Sequence, residues 1–231
     1  ARLGAAGQDV SVTDNVMQDA PAGDDGGYTL IQEEIPLKTW VKAAYEQGIV
    51  AVDTETNSLD SLNAELIGIS LALPKPVEGA RACYIPVGHI RRVSQATLDL
   101  GEENPLSQTR DAPKQLTIDK LLEILKPLLE DPGTLKVAHN AKYDSEVFAN
   151  YNVRMGPLDD TMLLSYVLDG GSHGHGLDDL TRIHLGRTNI KYKEVTGSGK
   201  KQIGFAEVEL DAALDYAAED ADVTLRLYQL L

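Results

Sequence analysis

Apolar and polar positions divide the chain into stretches of different period. Residues 1–27 show little periodicity, carry Gly, Ala, Asp and Gln, and read as a flexible linker or tail ahead of one domain over 28–231. Residues 28–31 are a candidate first strand, and 36–45 a short helix stopped at Gly48. Apolar runs at 49–54, 65–73 and 80–87 predict three further strands, with Pro74, Pro76 and Gly79 marking the turn between the last two. Their short connections predict antiparallel pairing. Residues 88–115 are polar, lack a clear period and read as a long loop. Apolar residues at 118, 121, 122, 125, 128 and 129 predict an amphipathic helix over 116–129, ended by Asp131-Pro132-Gly133. A short buried strand at 135–138 leads into helices at 140–151, 159–168 and 177–185, the last ended by Gly186. Residues 187–205, with Gly, Lys and Ser, read as a mobile loop, and 208–231 as a long helix. There is no internal repeat. Strands first, then a helix, a strand and more helices, predict a mixed α/β layer architecture.

Length and composition narrow the classes. With 231 residues, 42% hydrophobic and 25% charged, the chain reads as a soluble globular protein able to bury a core. No apolar run approaches the ~20 residues of a membrane span, and no secretory signal opens the chain. The single cysteine, Cys83, excludes an internal disulfide, fits a reducing cytoplasm and reads as a small buried strand residue. A net charge of −15 argues against holding nucleic acid by bulk electrostatics alone. It leaves nucleic acid open as a substrate, because a metal site can supply local positive charge. The start without Met and the stop at Leu231 inside a helical pattern predict a piece of a longer protein, monomeric as a fragment.

The chemistry is concentrated after the run Ile49-Val50-Ala51-Val52, which leads straight into Asp53-Thr54-Glu55. Residues i and i+2 of a strand share a side, so Asp53 and Glu55 project together from the end of a buried strand. Two hard oxygen donors in such a place suit Mg²⁺ or Mn²⁺. Asp-x-Glu is common, and a strand ending in solvated acids is the competing reading. Asn140 and Asp144, and Tyr216 and Asp220, are each four apart on predicted helices and share a helical face. Taken alone, Asn140 reads equally as a helix cap and Asp144 as a solvated position. On the last helix Leu210, Leu214, Ala217, Ala221, Leu225 and Tyr228 form an apolar stripe. Tyr216 and Asp220 flank it, whereas Glu219 and Asp222 point further out.

Asp-Thr-Glu at a strand end, Asn-x-x-x-Asp in AHNAKYD and Tyr-x-x-x-Asp in YAAEDAD resemble the three motifs of the DEDD 3′–5′ exonuclease superfamily, tyrosine branch. VDTETNSLD, YIPVGH, LLEILKPLLED, DDTMLLSYVLDG and GHGLDDL extend the resemblance, over about 28–231, to the proofreading domain of bacterial family A DNA polymerases. The resemblance implies a ribonuclease H-like fold, a mixed five-stranded sheet flanked by helices. It implies two divalent cations, Mg²⁺ before Mn²⁺ or Zn²⁺. Asp53, Glu55 and Asp220 hold one ion, Asp53 bridges to the second, Asp144 acts mostly through water, and Tyr216 orients the attacking water. Thr54, Leu59, Asn140 and Tyr192 are implied on the substrate side. Leu59 matches an apolar wedge beside the terminal base, and Tyr192 stands where the family usually has Phe. Where a related branch has His, this chain has Asp215, which keeps it in the tyrosine branch.

The implied activity is metal-dependent removal of nucleoside 5′-monophosphates from single-stranded or frayed DNA 3′ ends. A covalently linked polymerase domain, no membrane partner, and a cytoplasmic, nucleoid-associated location go with it. Two alternatives are an exoribonuclease of the same superfamily and a structural domain without catalysis. Ser172-His173-Gly174-His175 invites a metal reading, but solvated histidines in a Gly-rich loop are the favoured one. Lys191, Lys193, Lys200 and Lys201 form a basic stretch that either solubilises the loop or contacts phosphates; Arg91 and Arg92 are weaker candidates of the same kind.

Overall fold

The computed structural model describes residues 27–91 and 112–231. The expected tail over 1–27 (but for Gly27), most of the 88–115 loop and Arg92 lie outside the described residues.

The centre of the sheet is strand β2, Ile49–Thr56, paired antiparallel with β3, Leu66–Val77, and parallel with β5, Leu135–Ala138. Its alternation separates two very different faces. Val50 and Val52 join Ile69, Leu71, Leu73, Cys83 and Ile85 in the main core. This face is covered by helices α1, Glu34–Gln47, α2, Ile118–Leu129, and α3, Ala141–Asn150, through Leu37, Trp40, Leu121, Leu125, Leu128, Val147 and Phe148. Each of these leucines is fully buried, worth about 1.5–3 kcal/mol apiece. The opposite face is built of small residues. Ala51, Ala72 and Ala82 meet Ala218 and Ala221 of the last helix, α7, Leu210–Leu230. Short side chains on both surfaces let the helix backbone approach the sheet closely. That approach carries Asp220 to the end of β2.

The sheet has six strands, ordered β1-β4-β3-β2-β5-β6, with β1 at Tyr28–Leu30 and β4 at Ala80–Pro86. The expected antiparallel pairing of 49–54, 65–73 and 80–87 is found. The sixth strand, β6, Leu158–Asp160, corrects the five-stranded expectation. It falls where a helix start is expected, because three residues ending in two acids show no period. It pairs in parallel with β5, and α4 begins directly after it at Thr161–Asp169. The prolines expected to mark a turn lie inside β3, where the register against β4 shifts between Ala72 and Val77 and no ladder donor is required of them. The helix expected over 177–185 is a short α5, Leu177–Leu180, continued by one π turn, Thr181–Leu185. The expected mobile loop 187–205 carries α6, Tyr192–Thr196, and a 3₁₀ turn at Gly199–Lys201. Among the described residues, no helix is long and apolar enough to cross a membrane.

Glu219 and Asp222, expected to point outward on α7, are buried. Asp222 takes Nε of Arg81 at 3.4 Å and of Arg226 at 2.9 Å, and the Tyr28 hydroxyl at 3.3 Å. Glu219 accepts from Arg187 and from the backbone N–H of Ile190 at 2.7 Å. The apolar stripe is therefore flanked by buried acids; Arg226 meets Asp222 from the same helix, whereas Arg81 and Arg187 come from distant segments that a helical wheel does not display.

Candidate active site

At the end of β2 the alternation places Asp53 and Glu55 on the α7 face. A bulge in the pairing follows Glu55, and such bulges re-aim a strand at a sheet rim. The carboxylate oxygens of Asp53, Glu55 and Asp220 come within 4.8 Å of one another, the one such group of possible metal ligands among the described residues. Glu55 is buried, while Asp53 and Asp220 keep a solvent-facing edge. Three converging carboxylates fit a hard divalent cation better than any organic ligand.

Asp144 reaches the same strand end from the other face, on the first turn of α3 and only 3% exposed. It is outside the group of three. One of its oxygens accepts from the Thr54 N–H at 3.1 Å and the Thr54 hydroxyl at 2.6 Å. The Thr54 side chain, expected on the substrate side, is thus committed to Asp144. Asn140 does not share a helical turn with Asp144 as the i, i+4 spacing predicts. It sits just ahead of α3 with φ 64°, a left-handed conformation that Asn tolerates, and its side chain makes no cap hydrogen bond. The cap is Asp160, which accepts from the N–H groups of Asn140 and Ala141 and also from those of Met162 and Leu163. One carboxylate from β6 starts both α3 and α4.

The pKa values of all four carboxyls are raised. Burial is the main cause at all four carboxyls. Asp53 is pushed well up by burial and then by Asp144, Glu55 and Asp220; Glu55 by burial, Asp220 and Asp144. Burial pushes Asp144 up to about 7, opposed by its Thr54 hydrogen bonds. Asp220 rises to about 8 through burial, Glu219 and Asp178, opposed by a hydrogen bond from Tyr216 and by Lys191. Ionising these four carboxyls together is therefore costly unless a positive charge stands beside them.

Tyr216 lies one turn before Asp220, and its pKa is driven far above the usual value by burial and then by Asp220, Glu55 and Asp53. Its ring is packed against Phe205 at 5.8 Å and edge-on to Tyr192 at 6.1 Å, while Tyr192 stacks on Phe205 at 6.2 Å. Tyr192 remains 42% exposed, and its pKa is raised by burial and then by Glu55. Phe205 is the hub of this group and also touches Tyr84 and His89. Tyr84 lies beneath Glu55, across Gly68. A Cβ at Gly68 would stand 2.1 Å from the Tyr84 hydroxyl, so glycine is required there.

Leu59 is 98% exposed. Its loop is nonetheless pinned. Thr56 and Tyr143 hold the Ser58 carbonyl, Asn150 holds the Ser61 carbonyl at 2.8 Å, and Asn57 and Glu65 hydrogen-bond to each other across the loop base. These bonds hold the loop that presents Leu59 at both of its ends.

Residues that sequence reasoning missed are Phe205, Glu219, Asp160 and Ser70. Ser70 pairs directly across from Asp53 in the ladder, buried, with no hydrogen-bond partner for its hydroxyl among the described residues. Strand alternation within 65–73 was the one signal that could have placed it. His175 is not a solvated loop residue. It is buried, bonds Ser165 at 2.8 Å and lies against Tyr166 at 4.1 Å, a packing role for its ring.

Known proteins resemble this chain in sequence and in fold. A family model described as 3′–5′ exonuclease matches residues 28–231. DNA polymerase I of Rhizobium leguminosarum is 44% identical over 90% of this chain, and DNA polymerase I of Pseudomonas aeruginosa is 37% identical over 94%. The chain spans 20% and 22% of those proteins, about a fifth of their length. Among solved structures, Escherichia coli RNase D superposes with a TM-score of 0.56 at 20% identity, over 88% of this chain and 44% of that one. Pol1 from M. smegmatis gives 0.56 at 18% identity, over 87% and 26%. At these identities the structural likeness speaks for the fold alone, a ribonuclease H-like α/β sheet. The length and identity of the sequence matches carry the assignment, and the chain belongs to the 3′–5′ exonuclease family of bacterial DNA polymerase I.

Proposed function

We propose that this domain hydrolyses the terminal phosphodiester of single-stranded or frayed DNA 3′ ends, releasing nucleoside 5′-monophosphates, and that it edits for a covalently linked polymerase domain. The observation that carries the reading is the convergence of Asp53, Glu55 and Asp220 within 4.8 Å, with Asp144 behind them, in a chain of this family. The fifth-length match to whole DNA polymerase I chains supports the linkage.

Asp53, Glu55 and Asp220 would hold the divalent cations, with Asp144 acting through water. Mg²⁺ suits the oxygen donors best, with Mn²⁺ or Zn²⁺ as substitutes; two such ions supply positive charge to the attacking and leaving oxygens and lower the pKa of water. The chain's own groups do the positioning. The Tyr216 hydroxyl donates to Asp220 and is kept protonated by burial and then by its acidic neighbours, so it orients water through a lone pair and is not the base. Thr54 fixes the rotamer of Asp144. Leu59 offers an apolar wedge and Tyr192 a ring face to the terminal bases. Stacking of this kind is worth about 1–3 kcal/mol per base and tolerates any sequence, as editing requires. Asn140 shapes the rim through its left-handed backbone.

The test against exoribonuclease activity is direct. Matched DNA and RNA oligonucleotides, each labelled on the 3′-terminal nucleotide, are digested in Mg²⁺. Faster release from DNA is expected; faster trimming of RNA would contradict the substrate assignment.

A further inference from the structure

The stretch 187–202 carries Arg187, Lys191, Lys193, Lys200 and Lys201 against one acid, Glu194, a net +4. The whole chain is −15, which leaves −19 for everything else. Such a reversal of sign beside an acidic centre is where an anionic polymer is drawn to approach. The stretch is also ordered. Glu219 clamps its start through Arg187 and the Ile190 N–H. Its end folds back, with the Ile203 N–H donating to the Thr196 carbonyl at 2.9 Å, and Val195 and Ile203 pack in one cluster with Phe205, Ala213 and Ala217 of α7. The lysines therefore project from a fixed backbone. Lys191 is engaged by Asp178 at 2.8 Å. Lys193, Lys200 and Lys201 are exposed, and no carboxylate among the described residues pairs with them. Lys193 follows directly on Tyr192, whose ring abuts Tyr216.

Resting on the exonuclease reading, we propose that the strand upstream of the terminal nucleotide leaves the site over Tyr192 and lies on this segment, with Lys193, Lys200 and Lys201 neutralising its phosphates. The patch reads charge and not base, and it supplies the affinity for single strands that an acidic protein otherwise lacks.

The test combines Lys193→Ala, Lys200→Ala and Lys201→Ala, all at exposed positions. Binding of a fluorescent single-stranded 12-mer is followed by anisotropy in EDTA across a salt series, independent of cleavage. Three phosphate contacts at about 0.7 ion each predict that the slope of log K against log salt becomes shallower by about two in the variant, so that its deficit in affinity grows about twentyfold between 200 mM and 50 mM salt. Lys→Arg at the same positions is expected to restore both. A dinucleotide, too short to reach the patch, is expected to be cleaved in Mg²⁺ at the wild-type rate. An unchanged salt slope, no binding by the wild type in EDTA, or equal loss on the dinucleotide would overturn the proposal. Lysine-dependent binding by a protein that cleaves no DNA would instead sink the exonuclease reading and leave the patch standing.

Discussion

Asp53→Ala is expected to lower the single-turnover rate of 3′-nucleotide release at least about a thousandfold while the domain stays folded. Removing a carboxylate from a metal site forfeits several kcal/mol of charge stabilisation at the reacting oxygens, and each 1.36 kcal/mol is a factor of ten. Stability should move the other way. Asp53 is crowded by Asp144, Glu55 and Asp220, and burial already penalises its ionised form. Deleting that charge relieves its neighbours, so the variant's melting temperature in EDTA is expected to equal or exceed that of the parent. Neutral folding energetics with lost catalysis separates a functional carboxylate from a structural one. Digestion within tenfold of the parent in Mg²⁺ would overturn the assignment of Asp53.

The second large effect is on stability against pH. Folding raises the pKa of Asp144 to about 7 and of Asp220 to about 8 from ordinary values near 4. Between those limits the folded state binds more protons than the unfolded chain. Their stabilising contribution is full below about pH 4 and is lost as pH rises through 7 to 8. In EDTA the melting temperature is therefore expected to fall from pH 5 to pH 8. A Mg²⁺ concentration of a hundred times the Kd at pH 8 adds about 2.7 kcal/mol to the folded state, and the same concentration adds less at pH 5, where the ligands are protonated. Asp53→Ala should flatten the EDTA profile. Equal melting temperatures at pH 5 and pH 8 in EDTA, measured by scanning calorimetry, would contradict the crowded-carboxylate account.

The sequence made strand β2 and its two acids legible because both signals are local: a buried apolar run, then carboxylates two apart on one face. The pairing of 49–54, 65–73 and 80–87 was legible for the same reason. What was missed depends on contacts between distant segments. Asp160 gave no sign in its own neighbourhood that it caps two helices, because one of its partners is twenty residues upstream. Glu219 and Asp222 read as outward acids because Arg187 and Arg81, which help to bury them, are not on their helix, although Arg226, four residues after Asp222, is. The 187–205 stretch read as mobile because its glycines and lysines carry no period, yet Glu219 and Phe205 fix it in place. Thr54 was placed with the substrate and is held by Asp144, a pairing set by the approach of α3 to the back of β2.

The most direct measurement is the fate of a label on the 3′-terminal nucleotide of single-stranded DNA, incubated with this domain in Mg²⁺ or in EDTA. The account predicts that in Mg²⁺ the label leaves as a nucleoside 5′-monophosphate, and that in EDTA it stays on the full-length strand. Release within an oligonucleotide, or equal release in EDTA, would contradict a metal-dependent 3′–5′ exonuclease built on Asp53, Glu55, Asp144 and Asp220.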